Sequence, residues 1–189
     1  DTDKVSVEME IAGGGMVLTA ELSQEIATAN EALATASPAE ILRWSAKRFQ
    51  PHLLMATAFG AEGCCVIHLL AGIDPGVKFI NLETGYQFPE TLELRERIRA
   101  RYGITVEYIR PELSVAEYEA EHGGPLHGLR PDQCCLDRKI LPLRQALARI
   151  APHAWISAIR KDQTADRNQA GVIQWDAKFN LVKVNPLLN

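Results

Sequence analysis

The chain has 189 residues, of which 47% are hydrophobic and 23% are charged. This length suits one domain, and the composition excludes disordered, collagen-like and mucin-like chains. A net charge of -4 provides no overall basic field, so neither nucleic acid nor a membrane is an expected partner. The apolar runs are too short to span a bilayer and no signal segment opens the chain, so we expect a cytoplasmic protein.

Helical and extended hydrophobic periods alternate along the chain. In chain order, they predict a flexible arm over 1–20, helices over 22–33 and 37–49, a strand over 53–58, a helix over 64–70 and a strand over 78–82. A helix over 89–102, a strand over 105–109, a helix over 138–150, a strand over 155–159 and a hairpin of 172–175 with 181–184 follow. The stretches 112–133 and 160–168 have no predicted element. This order predicts one domain over 21–189, an open, mainly parallel α/β sheet with helices on both faces.

The four cysteines form two adjacent pairs, Cys64-Cys65 and Cys134-Cys135. Four are too few for a secreted disulfide scaffold, and neighbouring cysteines rarely bridge each other, so each is a buried thiol, a metal ligand or a redox thiol. Cys64-Cys65 lies in an apolar helical run, which favours small buried thiols. Cys134-Cys135 lies in a polar setting just before a predicted helix, which favours ligation. A zinc or [4Fe–4S] site needs about four ligands, so two must come from elsewhere.

Three polar loops follow predicted strands, and the carboxyl ends of parallel strands are where such sheets bind ligands. The loop 57–63 has small residues and glycines whose backbone N–H groups suit an anion, although on its own such a stretch is more often an ordinary strand-to-helix turn. In the loop 82–86, Glu83 and the backbone around Gly85 suit a ribose or a base edge, unless this is simply a polar loop. The loop 160–167 has three cations in eight residues, which suits phosphate or sulfate but is also typical of a solvated loop.

Taken together, these loops resemble the assimilatory adenylyl-sulfate and phosphoadenylyl-sulfate reductases. The resemblance covers the chain from about residue 39 and rests on motifs in the order of that family. They are Phe-Gly-Ala-Glu at 59–62, Leu-Glu-Thr-Gly at 82–85, Cys-Cys-x-x-Arg-Lys-x-x-Pro-Leu at 134–143, Trp-x-x-x-x-Arg-Lys-x-Gln at 155–163 and Lys-Val-Asn-Pro-Leu at 183–187. The resemblance implies an adenine-nucleotide α-hydrolase-like fold, related to the PP-loop ATP pyrophosphatases.

The resemblance also implies roles for particular residues. The modified P-loop beside the sugar and phosphosulfate would be formed by Thr57, Phe59, Gly60, Ala61, Glu62 and Gly63. The adenosine would contact Leu82, Glu83, Thr84 and Gly85, and the substrate anion would lie under a loop with Arg160, Lys161, Gln163 and Arg167. Lys139 would lie between the substrate and a [4Fe–4S] cluster, of which Cys134 and Cys135 would be two of the four ligands.

The implied reaction is attack by a cysteine thiolate on the sulfate sulfur of adenylyl sulfate, with AMP as the leaving group. Thioredoxin or a glutaredoxin-like dithiol would then release sulfite by thiol exchange. Reductases specific for the 3′-phosphorylated nucleotide generally lack the cysteine pair, so Cys134 and Cys135 favour adenylyl sulfate. The sequence leaves open whether the chain forms a homo-oligomer.

The chain departs from the family pattern at several places. The family's Cys-x-x-Cys and its catalytic cysteine normally follow the Asn-Pro-Leu segment, so we expect the nucleophile beyond Asn189 and not within this chain. Glu83 replaces the usual Asp, Ala158 stands where Gly is preferred, and Cys64-Cys65 replaces apolar helix residues.

Three other functions stay open on the sequence. The first is a reductase that uses the 3′-phosphorylated substrate, and the second is a nucleotide-binding module without redox catalysis. The third is a PP-loop enzyme that activates a substrate with ATP. The lack of a Ser-Gly-Gly-x-Asp-Ser loop counts against the third.

Overall fold

A computed structural model describes residues 15–188 of the chain, without the side chains of residues 166 and 168. Its centre is a six-stranded sheet in the order β3-β2-β1-β4-β6-β5. The strands are β1 (Leu53–Ala56), β2 (Lys78–Leu82), β3 (Val106–Ile109), β4 (Ala154–Ile156), β5 (Ile173–Asp176) and β6 (Leu181–Val184). All neighbouring pairs are parallel except β5 with β6, which is antiparallel. The open, mainly parallel sheet and its closing hairpin are confirmed.

Helices cover both faces of this sheet, as predicted. They are α1 (Ala20–Ala32), α2 (Pro38–Phe49), α3 (Ala61–Ile73), α4 (Pro89–Tyr102), α5 (Val115–His122), α6 (Leu126–Leu129), α7 (Pro131–Cys135), α8 (Leu141–Ile150) and α9 (Ala165–Asn168). A π-helical turn (Leu136–Ile140) joins α7 to α8, and a 3₁₀ turn (Lys161–Gln163) precedes α9.

The side chains of the central strands β1 and β4 alternate between two apolar layers. Leu53 and Met55 of β1 point into a large core shared with α1, α2 and α3, where Ile41, Ile67 and Leu70 are fully buried. Leu54, between them, points to the opposite face and joins a smaller core with the apolar side of α8. Because both faces of the sheet are covered there, β1 and β4 are continuous apolar runs.

The segment 112–133, which has no predicted element, contains α5, α6 and part of α7. Helix α5 begins at a capping box, in which the Ser114 hydroxyl accepts from the backbone N–H of Glu117 and the Glu117 carboxylate accepts from that of Ser114. Tyr118 and Leu126 of this segment form a third, small apolar cluster with Cys134, which directly follows it. The stretch without a predicted element is therefore largely helical.

Other differences lie at element ends. The strands predicted over 53–58 and 155–159 end at Ala56 and Ile156, so the residues that follow belong to loops. The polar stretch 160–168 forms two short helical turns. Most of the arm predicted over 1–20 lies outside the described residues, whereas the backbone N–H of Gly15 donates to the carbonyl of Pro152 (2.9 Å). None of the helices in residues 15–188 has both the length and the apolar character needed to cross a bilayer.

Candidate nucleotide-binding site

A cavity of about 880 Å³ opens at the carboxyl ends of β1 and β2, under α6, α7 and the π-helical turn. It is lined by Ala56, Thr57, Ala58, Ile80, Asn81, Leu82, Thr84, Tyr86, Gln87, Phe88, Thr91, His127, Pro131, Asp132, Cys134, Cys135, Arg138 and Lys139. This volume suits a ligand of nucleotide size. Thr57, Leu82, Thr84, Lys139 and both cysteines of the second pair are the predicted site residues that the cavity brings together.

Thr57 is fixed where β1 ends. Its side chain is buried and its Oγ1 accepts from the backbone N–H of Phe59 (3.0 Å), while its carbonyl accepts from Nδ2 of Asn81 (2.7 Å). A Cβ added at Gly63 would approach Oγ1 of Thr57 to 3.0 Å, so the small residue at 63 leaves room for this hydroxyl. Asn81 on the neighbouring strand thus couples the first loop to the second.

Of the loop 57–63, Thr57 and Ala58 line the cavity, whereas residues 59–63 do not. Phe59 has a φ of 58°, which is rare for a bulky residue, and its side chain is 3% exposed within the large core. Gly60 caps α3, and Ala61, Glu62 and Gly63 form the first turn of that helix. In this loop, which is predicted to bind an anion, the groups available to a ligand are backbone groups and the Thr57 hydroxyl. The phenyl ring of Phe59 instead packs in the large core.

In the second loop, Glu83 turns away from the cavity. Its carboxylate pairs with Arg95 of α4, and the two side chains are 13% and 11% exposed. The Arg95 guanidinium also lies over the ring of Tyr108, 4.0 Å from its centroid. Glu83 does not line the cavity, and its partner within the protein is the cation of Arg95. Its contact with the adenosine stays a prediction.

The cationic third loop lies beside the cavity without lining it. Glu62 links the two loops, because its Oε1 lies 3.4 Å from Nη1 of Arg160 and accepts from Nε2 of Gln163 at 3.4 Å. Arg167 donates to Oε1 of Gln163, and Lys161 is exposed. Burial lowers the pKa of Lys183 on β6; Asp176 partly offsets this shift and Arg167 adds to it. The side chains of Arg167 and Lys183 thus lie close enough for the charge of Arg167 to lower the pKa of Lys183.

The two cysteine pairs differ in their surroundings. Cys134 and Cys135 both line the cavity from α7, but Cys134 is 8% exposed and packs against Tyr118 and Leu126. The polar setting expected for this pair therefore holds only in part. The first pair also differs from expectation, since Cys65 is exposed on α3 while burial raises the pKa of Cys64. In residues 15–188, no group of three or more His, Cys, Asp or Glu side chains is placed to hold a metal.

Several cavity residues were missed from the sequence. Asn81 is 1% exposed and is a polar residue among the buried apolar positions of β2, a signal that the sequence contains. The cavity is also lined by Tyr86 at the end of the second loop, by the next residues Gln87 and Phe88, and by His127 of α6. His127 packs edge-on against Tyr86, with ring centroids 4.8 Å apart. The position of α6 over the cavity depends on a segment that had no predicted element.

The fold defines the class of protein. The structure aligns over 88% of its length with 67% of the NH3-dependent NAD synthetase of Campylobacter jejuni, at a TM-score of 0.52 and 13% identity. It aligns over 93% of its length with 83% of the phosphoadenylyl-sulfate reductase of Candida auris, solved as a phosphate complex, at a TM-score of 0.81 and 29% identity. The chain thus has a PP-loop-like nucleotide-binding fold.

The sequence places it within that class. The family model described as "Phosphoadenosine phosphosulfate reductase domain" matches residues 52–189. The chain is 41% identical over 153 residues to a phosphoadenosine 5'-phosphosulfate reductase of Gloeobacter violaceus, covering 80% of this chain and 62% of the relative. It is 37% identical over 169 residues to an adenosine 5'-phosphosulfate reductase of Streptomyces coelicolor, covering 89% and 70%. The chain belongs to the phosphoadenosine phosphosulfate reductase family, and it spans less than two thirds of the Gloeobacter relative.

Proposed function

We propose that the chain binds adenylyl sulfate and acts in its thiol-dependent reduction to sulfite and AMP in sulfate assimilation. One observation carries the proposal: a cavity of nucleotide size joins Thr57, Thr84, Lys139 and the cysteine pair at the carboxyl ends of β1 and β2. Membership of the reductase family supports the substrate class. The adenosine would lie against the second loop, and the phosphosulfate would extend from Thr57 toward the cationic third loop.

In the proposed reaction, a thiolate attacks the sulfate sulfur and forms an S–S bond, while the bond from sulfur to the phosphate oxygen breaks and AMP leaves with its electron pair. A second thiol then attacks the thiol-derived sulfur of this S–S bond, which yields a disulfide and releases sulfite. Arg160, Lys161 and Arg167 would stabilise the charge that builds up on the leaving phosphate. Gln163 would orient Arg167, to which it is already hydrogen bonded.

The attacking thiolate is assigned to a thiol that residues 15–188 do not supply. Cys65 lies on α3 away from the cavity, and burial disfavours the thiolate of Cys64. Cys134 and Cys135 are reserved in this proposal for metal ligation. The second thiol would come from thioredoxin or a glutaredoxin-like dithiol. Four free cysteines and a dithiol donor suit a reducing compartment, and we therefore assign the protein to the cytoplasm.

Cys134 and Cys135 are proposed as two of the four thiolate ligands of a [4Fe–4S] cluster. Their donor set fits half of such a site, because both line one cavity and Lys139 beside them offsets negative charge. A bound cluster would supply local charge and electronic tuning near the substrate.

Replacing one proposed ligand tests this assignment. Cys134→Ser in the holoenzyme should lower iron to near background, whereas Cys65→Ser, which alters an exposed thiol on α3, should keep the wild-type iron content. Iron and acid-labile sulfide measured on anaerobically purified protein give the answer. Equal iron in all three proteins would contradict ligation by the pair.

The second candidate is reduction of the 3′-phosphorylated nucleotide. The name of the Gloeobacter relative favours it, whereas the cysteine pair favours adenylyl sulfate. Sulfite formation from the two nucleotides, measured in parallel with a thioredoxin system, separates the two activities. A strong preference for adenylyl sulfate is expected.

Nucleotide binding tests the proposal without requiring turnover. Calorimetric titration should show that adenylyl sulfate and AMP bind and that GMP does not. Arg167→Ala should weaken adenylyl sulfate about tenfold or more and adenosine little, because a charge-assisted bond to the anion is lost. Arg43→Ala, which removes an exposed cation on α2, should leave both affinities unchanged. Absence of any adenine-nucleotide binding would overturn the proposed function.

A further inference from the structure

Arg138, which none of the proposed steps uses, is the most deeply buried cation of the site. It is 3% exposed and lies in the π-helical turn directly after the cysteine pair. Such turns are rare and are found frequently at functional sites. No described carboxylate forms an ion pair with it. The carboxylate of its neighbour Asp137 instead accepts from the hydroxyl of Tyr118 (2.7 Å) and from Nε2 of Gln133 (2.8 Å).

Backbone carbonyls and aromatic rings satisfy the buried charge. Nε of Arg138 donates to the carbonyl of Thr84 (2.8 Å), and Nη1 donates to the carbonyl of Leu113 (3.1 Å). The guanidinium also lies 5.4 Å from the ring centroid of Tyr86 and 5.0 Å from that of Tyr118, distances at which cation–π attraction contributes. The planar guanidinium has donors on separate nitrogens at fixed positions, which suits two acceptors that lie apart, whereas the three donors of an ammonium share one nitrogen.

The two carbonyls belong to residues that line different cavities. Thr84 lies in the loop after β2 and lines the large cavity. Leu113 lies in the turn before α5 and lines a second cavity of about 420 Å³. Arg138 lines both cavities, whereas none of residues 111–118 lines the large one. The side chain of Arg138 is therefore part of the partition between them.

We propose that Arg138 is a positioning residue that couples the nucleotide-binding loop to the turn before α5 and to the helix that carries the cysteine pair. A nucleotide that orders the carbonyl of Thr84 also orders the guanidinium, and the guanidinium holds Leu113. Occupation of the large cavity is thereby transmitted to the second one. The ligand part of this inference rests on the proposed function, whereas the structural coupling does not.

Amide hydrogen exchange, followed by mass spectrometry on the full chain, tests the coupling without ligand. In Arg138→Met, exchange over 83–88 and 111–118 should become about tenfold faster, while the central strands β1 and β4 keep their protection. Arg138→Lys should be intermediate, because the ammonium keeps the charge but its donors share one nitrogen and do not match both carbonyl positions. Arg130→Met is the matched control, since this exposed arginine precedes α7 and lines neither cavity. Unchanged exchange in Arg138→Met, or equal acceleration in the strands, would overturn the proposal.

AMP is the probe for transmission. At saturation it should slow exchange over 111–118 in the wild type and in Arg130→Met, although this segment does not line the nucleotide cavity. In saturated Arg138→Met, protection should remain confined to segments that line the large cavity. If AMP still slowed exchange over 111–118 in that variant, the result would contradict the proposed coupling. If the wild type fails to bind AMP, the proposed function falls, and the exchange rates of the ligand-free proteins still decide the role of Arg138.

Discussion

Glu83 matches a position of a nucleotide-binding motif, yet its contacts in the structure are with the protein. It occupies the acidic position of the Leu-Glu-Thr-Gly motif, but its carboxylate is held by Arg95 of α4 and both side chains are nearly buried. The longer side chain, relative to the Asp usual in the family, provides the reach to this helix. We infer that Glu83 anchors the loop, while the neighbouring Leu82 and Thr84 line the cavity.

Glu83→Gln should therefore affect stability more than nucleotide affinity. The variant leaves the guanidinium of Arg95 without its carboxylate, which should lower the free energy of unfolding by about 2 kcal/mol, the usual contribution of a hydrogen bond between charged groups. AMP affinity should change less than about threefold, because the carboxylate lies outside the cavity. Urea unfolding and calorimetry give the two quantities.

Glu107→Gln is the matched control for this substitution. It breaks an ion pair with Arg149 in which the side chains are 46% and 59% exposed, and such pairs contribute little to stability. A stable Glu83→Gln protein with strongly reduced AMP affinity would instead make Glu83 a ligand of the nucleotide.

At the scale of elements, local signals decided which predictions succeeded. Helix α4 was predicted over 89–102 and lies at Pro89–Tyr102, because proline marks its first turn and Gly103 (φ 62°) ends it. The second helix was predicted from Ser37, whose capping box with Glu40 is present. These ends depend on neighbouring residues alone, which makes them readable from sequence.

The segment 112–133 contains helices that local sequence signals did not predict. Ser114 and Glu117 have the spacing of a capping box, yet the charged residues around them hid the single buried position, Tyr118. Its burial depends on contacts with Leu126 and Cys134, which are distant in sequence. Helical periodicity needs more than one buried residue to be visible, so α5 to α7 were missed together with the cavity wall that they form.

Gly85 holds the junction between the second loop and α5. Its φ is 83°, and a Cβ there would lie 2.5 Å from Cγ2 of Val115 and 3.3 Å from Nη2 of Arg138. Gly85→Ala therefore combines backbone strain with a collision, and it should lower the free energy of unfolding by about 3 kcal/mol. Thermal or urea unfolding measures this loss.

Gly103 supplies the control, because its φ is 62° and an added Cβ would meet nothing within 4 Å. Gly103→Ala should cost only about 1 kcal/mol, the price of a left-handed conformation alone. Equal losses in the two variants would mean that the loop after β2 moves freely away from α5.

At the scale of the whole molecule, the sheet order explains how far the site was predictable. Parallel strands place their following loops at one edge, and the prediction that these loops converge follows from this rule. In the observed order, β1 lies between β2 and β4. The loops after β1 and β2 therefore meet in the cavity, while the cationic loop after β4 lies on the other side of β1 and reaches the first loop through Glu62. Strand order depends on long-range packing, which periodicity does not contain.

Two histidines lie at the amino ends of the strands, at the opposite end of the sheet from the cavity. His52 directly precedes β1 and His153 directly precedes β4. The rings of His52 and His153 stack with centroids 4.2 Å apart and planes 22° apart. Burial lowers the pKa of His153, and the charges of His52 and Arg48 lower it further. The unfolded chain thus binds a proton at His153 more tightly than the folded chain does, so protonation favours unfolding.

This difference gives the pH dependence of stability a definite sign. The contribution of His153 is fully present above the unfolded-state pKa of about 6.5 and is lost as the pH falls from that value toward the lower folded-state pKa. The melting temperature of the wild type should therefore fall more steeply between pH 7 and pH 5 than that of His153→Asn, which has no titrating ring at this position. His68→Asn, which removes an exposed histidine from α3, should keep the wild-type slope. Parallel curves for the wild type and His153→Asn would show that the stacked pair does not control acid sensitivity.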